Sequence, residues 1–341
     1  MKKTYILLIA FFTVLAAQAQ VDRTVMPKPG PAPEINLSNP ESFQLNNGLK
    51  VMVVENHKLP RVSIQLTIDN PPILEGDKAG VSSLTGSLLG NGSTNLAKDE
   101  FNEEIDFLGA RLSFGSQSAF ASSLSKYFPR MMELMADAAI NPNFTQEEFE
   151  KEKNKLITGL KTEEKDVATI AGRVQRALAY GKDQAVPPSF SYTSPKNVPN
   201  THINFVDMPN AVQSEIAVQN VVELKMKDAD YIPVLVANQI LGGGGEGRLF
   251  LNLREDKGYT YGSYSSINDN KYAASRFRAT ASVRNAVTDS SVVEILKEID
   301  RINTEPVSEK ELKNTKAKYA GRFIMALEDP QTIARYALNI E

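Results

Sequence analysis

What most constrains this chain is a repeat. Thr145-Gln-Glu-Glu-Phe-Glu-Lys-Glu-Lys-Asn-Lys and Ser308-Glu-Lys-Glu-Leu-Lys-Asn-Thr-Lys-Ala-Lys share a capping hydroxyl, a glutamate three residues on and a lysine-rich helical pattern. Asp166 with Thr169-Ile170-Ala171 and Asp329 with Thr332-Ile333-Ala334 repeat at the same offset, 163 residues. A period of that length is a duplicated domain and not a solenoid. Strands and helices follow one another in groups. That order predicts an α+β fold of two homologous half-domains, each a largely antiparallel sheet with helices packed on it.

The 341 residues are enough for two such halves. A net charge of -3 and no basic run argue against nucleic acid as a partner. Residues 1–19 have the three parts of a signal peptide: Lys2 and Lys3, an apolar Tyr5 to Leu15, and Ala17-Gln18-Ala19 before the cleavage point. A periplasmic or secreted protein with no membrane attachment after cleavage is therefore expected. The absence of cysteine removes disulfides and a lipid-modified cysteine. Residues 20–41 read as a proline-rich leader, 42–184 as the first half, 185–201 as a second proline-rich connector and 202–341 as the second half.

Within the first half, Asn47-Gly48 predicts a hairpin, and Val62 to Ile68 a strand. Ala79 to Leu89 and Asp99 to Leu108 read as helices, Arg111 to Leu124 as one long strand, and Met131 to Ala139 as a helix with Met131, Met132 and Met135 in the core. Thr145 opens a helix that runs, with a break, to Tyr180. In the second half, strands are expected at Ile203 to Val206, Ser214 to Gln219, Thr260 to Ser266 and Arg276 to Val283. Helices are expected before Gly242, through Arg254, at Asp289 to Ile302 and at Ser308 to Leu327, the last closing the chain.

The most unusual stretch is Leu241 to Tyr264, LGGGGEGRLFLNLREDKGYTYGSY. Gly242, Gly243, Gly244 and Gly245 permit backbone conformations closed to other residues. Arg248, Arg254 and several tyrosine hydroxyls supply donors for a carbonyl, a carboxylate or a phosphate. G-x-G-x-x-G fits by letter, but a helix precedes it where a dinucleotide site needs a strand. P-loop spacing also fits, but Arg248 and Leu249 stand in place of Lys and Ser/Thr. Ser123-x-x-Lys126 matches a hydrolase motif without its companion motifs. His57 and His202 are the only histidines and lie in different halves.

The order of elements, the duplication and the glycine-rich stretch together resemble the M16 (insulinase/pitrilysin, mitochondrial processing peptidase) zinc metallopeptidase family. The resemblance covers nearly everything from residue 42 onward. It implies a His-x-x-Glu-His helix in the first half, with two histidines on zinc and the glutamate as base. Here Ser83 and Ser87 stand where the histidines belong and Gly86 where the glutamate belongs, so no metal site is expected in this chain. Thr158-Gly159 replaces the third ligand. What the resemblance retains is the pair Arg254 and Tyr261, which in two-part family members grips the substrate backbone. It also retains a glycine loop, Gly242 to Gly245, that meets substrate. It implies a non-catalytic, substrate-gripping subunit of an exported heteromeric peptidase, inactive alone. The partner would be a His-x-x-Glu-His-bearing subunit holding the zinc, and the ligand a peptide. The alternative is a catalytically dead peptide-binding or scaffold protein. By the residues alone, Arg254 reads equally as a surface ion pair, Tyr261 as a strand core residue and the glycines as an interhelical turn. Both halves are shorter than the family's pattern at matching places.

Overall fold

A computed structural model describes residues 30, 40–71, 75–181, 195–268 and 274–340. The expected signal peptide, nearly all of the expected leader and most of the second connector lie outside the described residues. From Pro40 onward the chain forms one compact unit.

The first half begins with a hairpin of β1 (Glu41–Gln44) and β2 (Lys50–Val53), paired antiparallel. The loop is wider than a two-residue turn. Leu45 donates to Leu49 O, Gly48 donates to Leu45 O, and Gly48 takes a φ of 88° that favours glycine. After β3 (Arg61–Thr67) come α1 (Val81–Leu88) and α2 (Lys98–Phe107). The expected single strand from Arg111 to Leu124 is in fact a tight hairpin, β4 (Arg111–Gly115) and β5 (Ser118–Leu124). Polar Ser116-Gln117 interrupts the run, and turning there lets Leu112 and Ala121 pair on one apolar face. Helices α3 (Phe128–Ile140), α4 (Gln146–Glu163) and α5 (Val167–Tyr180) complete the half.

The second half repeats the plan. It has β6 (Gln213–Val222), α6 (Tyr231–Gly242), and α7 (Arg248–Phe250), which runs on as a π-helix over Leu251–Asp256. Then come β7 (Thr260–Asn268), β8 (Ser275–Arg284), α8 (Thr288–Thr304), α9 (Glu309–Ala326) and α10 (Pro330–Ile340). Each half holds a three-stranded antiparallel sheet with the later hairpin strand in the middle, β3-β5-β4 and β6-β8-β7. The repeated caps form as their letters require. Thr145 and Ser308 side chains accept from the amides of Glu148 and Glu311, and Asp166 accepts from Thr169. Hydrogen bonds from the Thr169 hydroxyl and then its amide hold the Asp166 carboxyl below its usual range.

Two further expectations are corrected. The alternating letters at Ile203 to Val206 form no strand, and Ile203 and Phe205 are 90% and 82% exposed. Alternation makes a strand only where a neighbour completes the ladder, and no described strand lies beside this segment. The chain also does not close on the helix ending near Leu327, because α10 follows as the repeat of α5.

In the first half, Ala119 and Ala121 pack on Met131 and Met135, while Phe101, Leu108, Leu134 and Ala138 form a neighbouring cluster. Met131 and Met135 are core, as expected, and Met132 is partly buried. In the second half Leu241, Leu249, Leu253 and Ile295 cover Ile216, Ala279, Ala281 and Val283. The halves join by α5, which lies across the opposite face of the second sheet. There Ala179 and Tyr180 meet Val221 and Ala274, and Gln219 Nε2 donates to Gln175 O at 2.7 Å. Reciprocally, α10 touches β2.

Candidate functional site

Helix α6 is apolar almost throughout and ends against β7. A Cβ at Gly242 would lie 2.3 Å from the Ser265 amide nitrogen, so only glycine allows helix and strand this close. Gly247 returns the chain over Gly242, where a Cβ would lie 2.8 Å from the Gly242 Cα. Between them Gly244 has a φ of 135°, a conformation costly for any other residue. Gly242 and Gly247 are required by backbone approach. Gly243, Gly244, Gly245 and Gly247 line a cavity of about 320 Å³ between the loop and α9, with Glu311, Asn314 and Arg322 on its far wall.

Beyond the loop, the Phe250 ring is a hub. The position a Gly245 Cβ would take is 3.7 Å from it, the Arg254 guanidinium lies 4.8 Å over its centroid, and the Tyr264 ring sits 5.9 Å away. Phe250 and Arg254 are four apart, which puts them on one helix face even where the helix widens to the π form. The π segment closes on a glycine cap. Gly258, with φ 62°, donates to Arg254 O, and Tyr259 donates to Leu253 O. Single π turns are rare in helices and frequent at functional sites.

Arg254 is half-exposed and lies 3.5 Å from the Glu255 carboxylate. Tyr261 stands at the β-bulge between Thr260 and Ser263, is 87% exposed, and has no hydrogen-bond or ring partner among the described residues. It is therefore not a strand core residue. Neither Arg254 nor Tyr261 lines the glycine-loop cavity. Arg248 offers no donor to solvent, its Nη1 being buried without a hydrogen-bond partner. It is buried and makes two hydrogen bonds to Glu311, at 2.9 and 2.8 Å. Phe250 and Tyr264 were visible in the letters only as an apolar patch and one tyrosine among several. The i, i+4 pairing of Phe250 with Arg254 was the available signal.

On α1, Glu75 caps the helix from outside, accepting from Gly80 N and Ser82 N; the Ser82 hydroxyl first, and then these amides, hold its carboxyl low. Ser87 Oγ donates to Ser83 O at 3.1 Å. A Cβ at Gly86 would lie 3.2 Å from Gly115 Cα, so this position faces β4. A neutral hydroxyl bonded to its own helix, beside a position without a side chain, does not fit zinc. Among the described residues no three His, Cys, Asp or Glu side chains converge as ligands. His57 is exposed beside Glu55, and His202 is exposed. Ser123 is buried and donates to Leu124 O, while Lys126 lies over the Tyr127 ring, so the two share no hydrolase geometry. No helix among the described residues is long and apolar enough to cross a membrane.

Comparison with known proteins bears on both halves. The model described as insulinase (peptidase family M16) matches residues 50–182. The model described as the peptidase M16 inactive domain matches residues 165–319. The overlap of the two falls on α5. A solved structure from Pseudomonas fluorescens, described as a peptidase M16 inactive domain, superposes with a TM-score of 0.72 at 20% identity, covering 88% of this chain and 87% of that one. A protease from Helicobacter pylori gives 0.70 at 16%, covering 89% and 90%. The periplasmic protease PqqL from Escherichia coli gives 0.67 at 11%, covering 93% of this chain and 44% of that one. Subunit 1 of the mitochondrial cytochrome b-c1 complex of Bos taurus is 26% identical over 157 residues, 45% of this chain and 32% of that protein. At these identities the solved structures establish the α+β fold, and the two family models cover most of both halves: the chain belongs to the M16 (insulinase) peptidase family.

Proposed function

We propose that this chain is the non-catalytic, substrate-gripping subunit of an exported heteromeric M16 peptidase, acting beside a second M16 chain that carries His-x-x-Glu-His. One contrast between the halves carries this reading. Helix α1 has Ser83 and Ser87 where two metal ligands would stand and Gly86 where the base would stand, whereas the second half holds Arg254 half-exposed over Phe250 and Tyr261 exposed on β7, both following the glycine loop in the chain. Stacked on Phe250, the Arg254 guanidinium keeps donor edges for peptide carbonyls, and the Tyr261 hydroxyl is a second donor on the edge strand β7. Such donors bind and orient an extended peptide and stabilise charge that develops on a carbonyl oxygen. Zinc in the partner would polarise the scissile bond. Export is supported by the basic, apolar and small-residue parts of residues 1–19.

The test is co-purification with a His-x-x-Glu-His partner from the periplasmic fraction, followed by kinetics on the complex. Arg254→Ala is expected to lower kcat about 100-fold. Tyr261→Phe is expected to lower it about tenfold, the worth of one hydrogen bond. Assembly, read by light scattering, stays unchanged. Wild-type kcat in both variants would exclude the gripping role. It would favour a catalytically dead peptide-binding or scaffold protein, the reading supported by the absence of both residues from the cavity wall.

A further inference from the structure

The seam between α5 and the second sheet holds a cluster of like charges. Arg276 and Arg278 alternate onto the face opposite the second-half core, Arg276 across from Val221 and Asn268, Arg278 across from Gln219 and Ser266. Helix α5 brings Arg176 and Tyr180, one turn apart, to the same place. The Arg276 guanidinium lies 5.9 Å over the Tyr180 ring and 3.5 Å from Gln219 Oε1. Among the described residues no carboxylate pairs with Arg176, Arg276 or Arg278. Elsewhere Arg130 is matched with Glu104, Arg173 with Glu163, Arg248 with Glu311, and Arg301 with Glu298 and Glu305, while Arg61, Arg111, Arg284, Arg322 and Arg335, which also lack a described carboxylate partner, are exposed. Burial, and then the Arg278 charge, push the Arg276 guanidinium below its usual range, the direction that an arriving anion would reverse.

Holding a part-buried guanidinium beside two others costs free energy unless an anion completes the set. Guanidinium forks match a carboxylate in shape and charge. We propose that this seam is a subsite for a carboxylate of a peptide ligand, supplied by an acidic side chain or by a free C-terminus. The subsite rests on the peptide-binding reading above but uses neither Arg254 nor Tyr261.

The experiment is fluorescence anisotropy on the purified chain with three labelled peptides of one length: an acidic one, its Glu→Gln version, and the acidic one amidated at its C-terminus. The acidic peptide is expected to bind about tenfold tighter than whichever version lacks the recognised carboxylate. Arg278→Gln and Arg276→Gln are expected to erase that advantage. Arg176→Gln, at an exposed helix position that tolerates exchange, is expected to reduce it, and melting temperatures verify that each variant folds. Equal affinity for all three peptides, or an advantage that survives Arg278→Gln and Arg176→Gln, overturns the subsite. Arg254→Ala separates the two readings. If it abolishes binding of every peptide while no preference for the acidic one exists, gripping stands and the subsite falls. If the preference persists and Arg254→Ala changes nothing, the subsite stands and gripping falls.

Discussion

Glu148 and Glu311 hold the same place in the repeated helix, yet they tie it down differently. Glu148 of α4 meets Lys98 of α2, whose side chain is 30% exposed. Glu311 of α9 meets Arg248, 7% exposed, through two parallel bonds. In both, the hydrogen bond from the cation comes first in holding the carboxyl below its usual range. Duplication kept the acid and changed the base from a rotatable ammonium to a planar fork that is always charged. The stronger tie sits directly after Gly247, where the glycine loop re-enters α7. The firmer anchoring thus lies in the half with the candidate site.

The comparison breaks most readily at the acids. Glu311→Gln leaves Arg248 buried without its charge partner and is expected to cost about 3 kcal/mol in urea unfolding, whereas Glu148→Gln leaves a Lys98 ammonium that can turn to solvent and is expected to cost about 1 kcal/mol. Similar losses in both variants would mean that the two ties are equivalent. Next is backbone approach. Gly242→Ala places a methyl 2.3 Å from a backbone nitrogen and should destabilise by about 3 kcal/mol, while Gly86→Ala, with its nearest neighbours at 3.2 Å, should cost about 1 kcal/mol.

Acid sharpens the contrast further. The folded Glu311 carboxyl titrates below its ordinary value of 4.5, so its contribution is full above that pH and is lost as pH falls through the folded value. Thermal melts between neutral pH and below 4.5 should therefore show wild type losing stability more steeply than Glu311→Gln. Parallel slopes would remove the tie from the acid response. The smallest effect is a gain. Lys98→Arg gives the first half its own fork and is expected to add about 0.5 kcal/mol.

Much of the fold was legible because local chemistry and tertiary packing agree. Thr145, Asp166 and Ser308 cap where their letters place them, and the 163-residue offset reappears as two sheets with the same strand order. The misses are positions where a neighbour decides. Ile203 to Val206 alternates without a described strand to pair with, and Ser116-Gln117 turns because each side of it can face one core. The Leu251–Asp256 π segment has no periodic signature in one sequence. At the site, the letters gave residue types but not company. They could not show that Arg248 is taken by Glu311, that Gly242 is held by Ser265, or that Arg276 meets α5 from the other half.

Helix α5 belongs to the first half by sequence and to the second by contact. Anyone dividing the molecule at the proline-rich connector would strand Ala179 and Tyr180 on the wrong piece, stripping Val221 and Ala274 of their cover. The natural seam for dissection is the short break between α4 and α5, at Glu164 to Asp166, so that the helix travels with the sheet it shields.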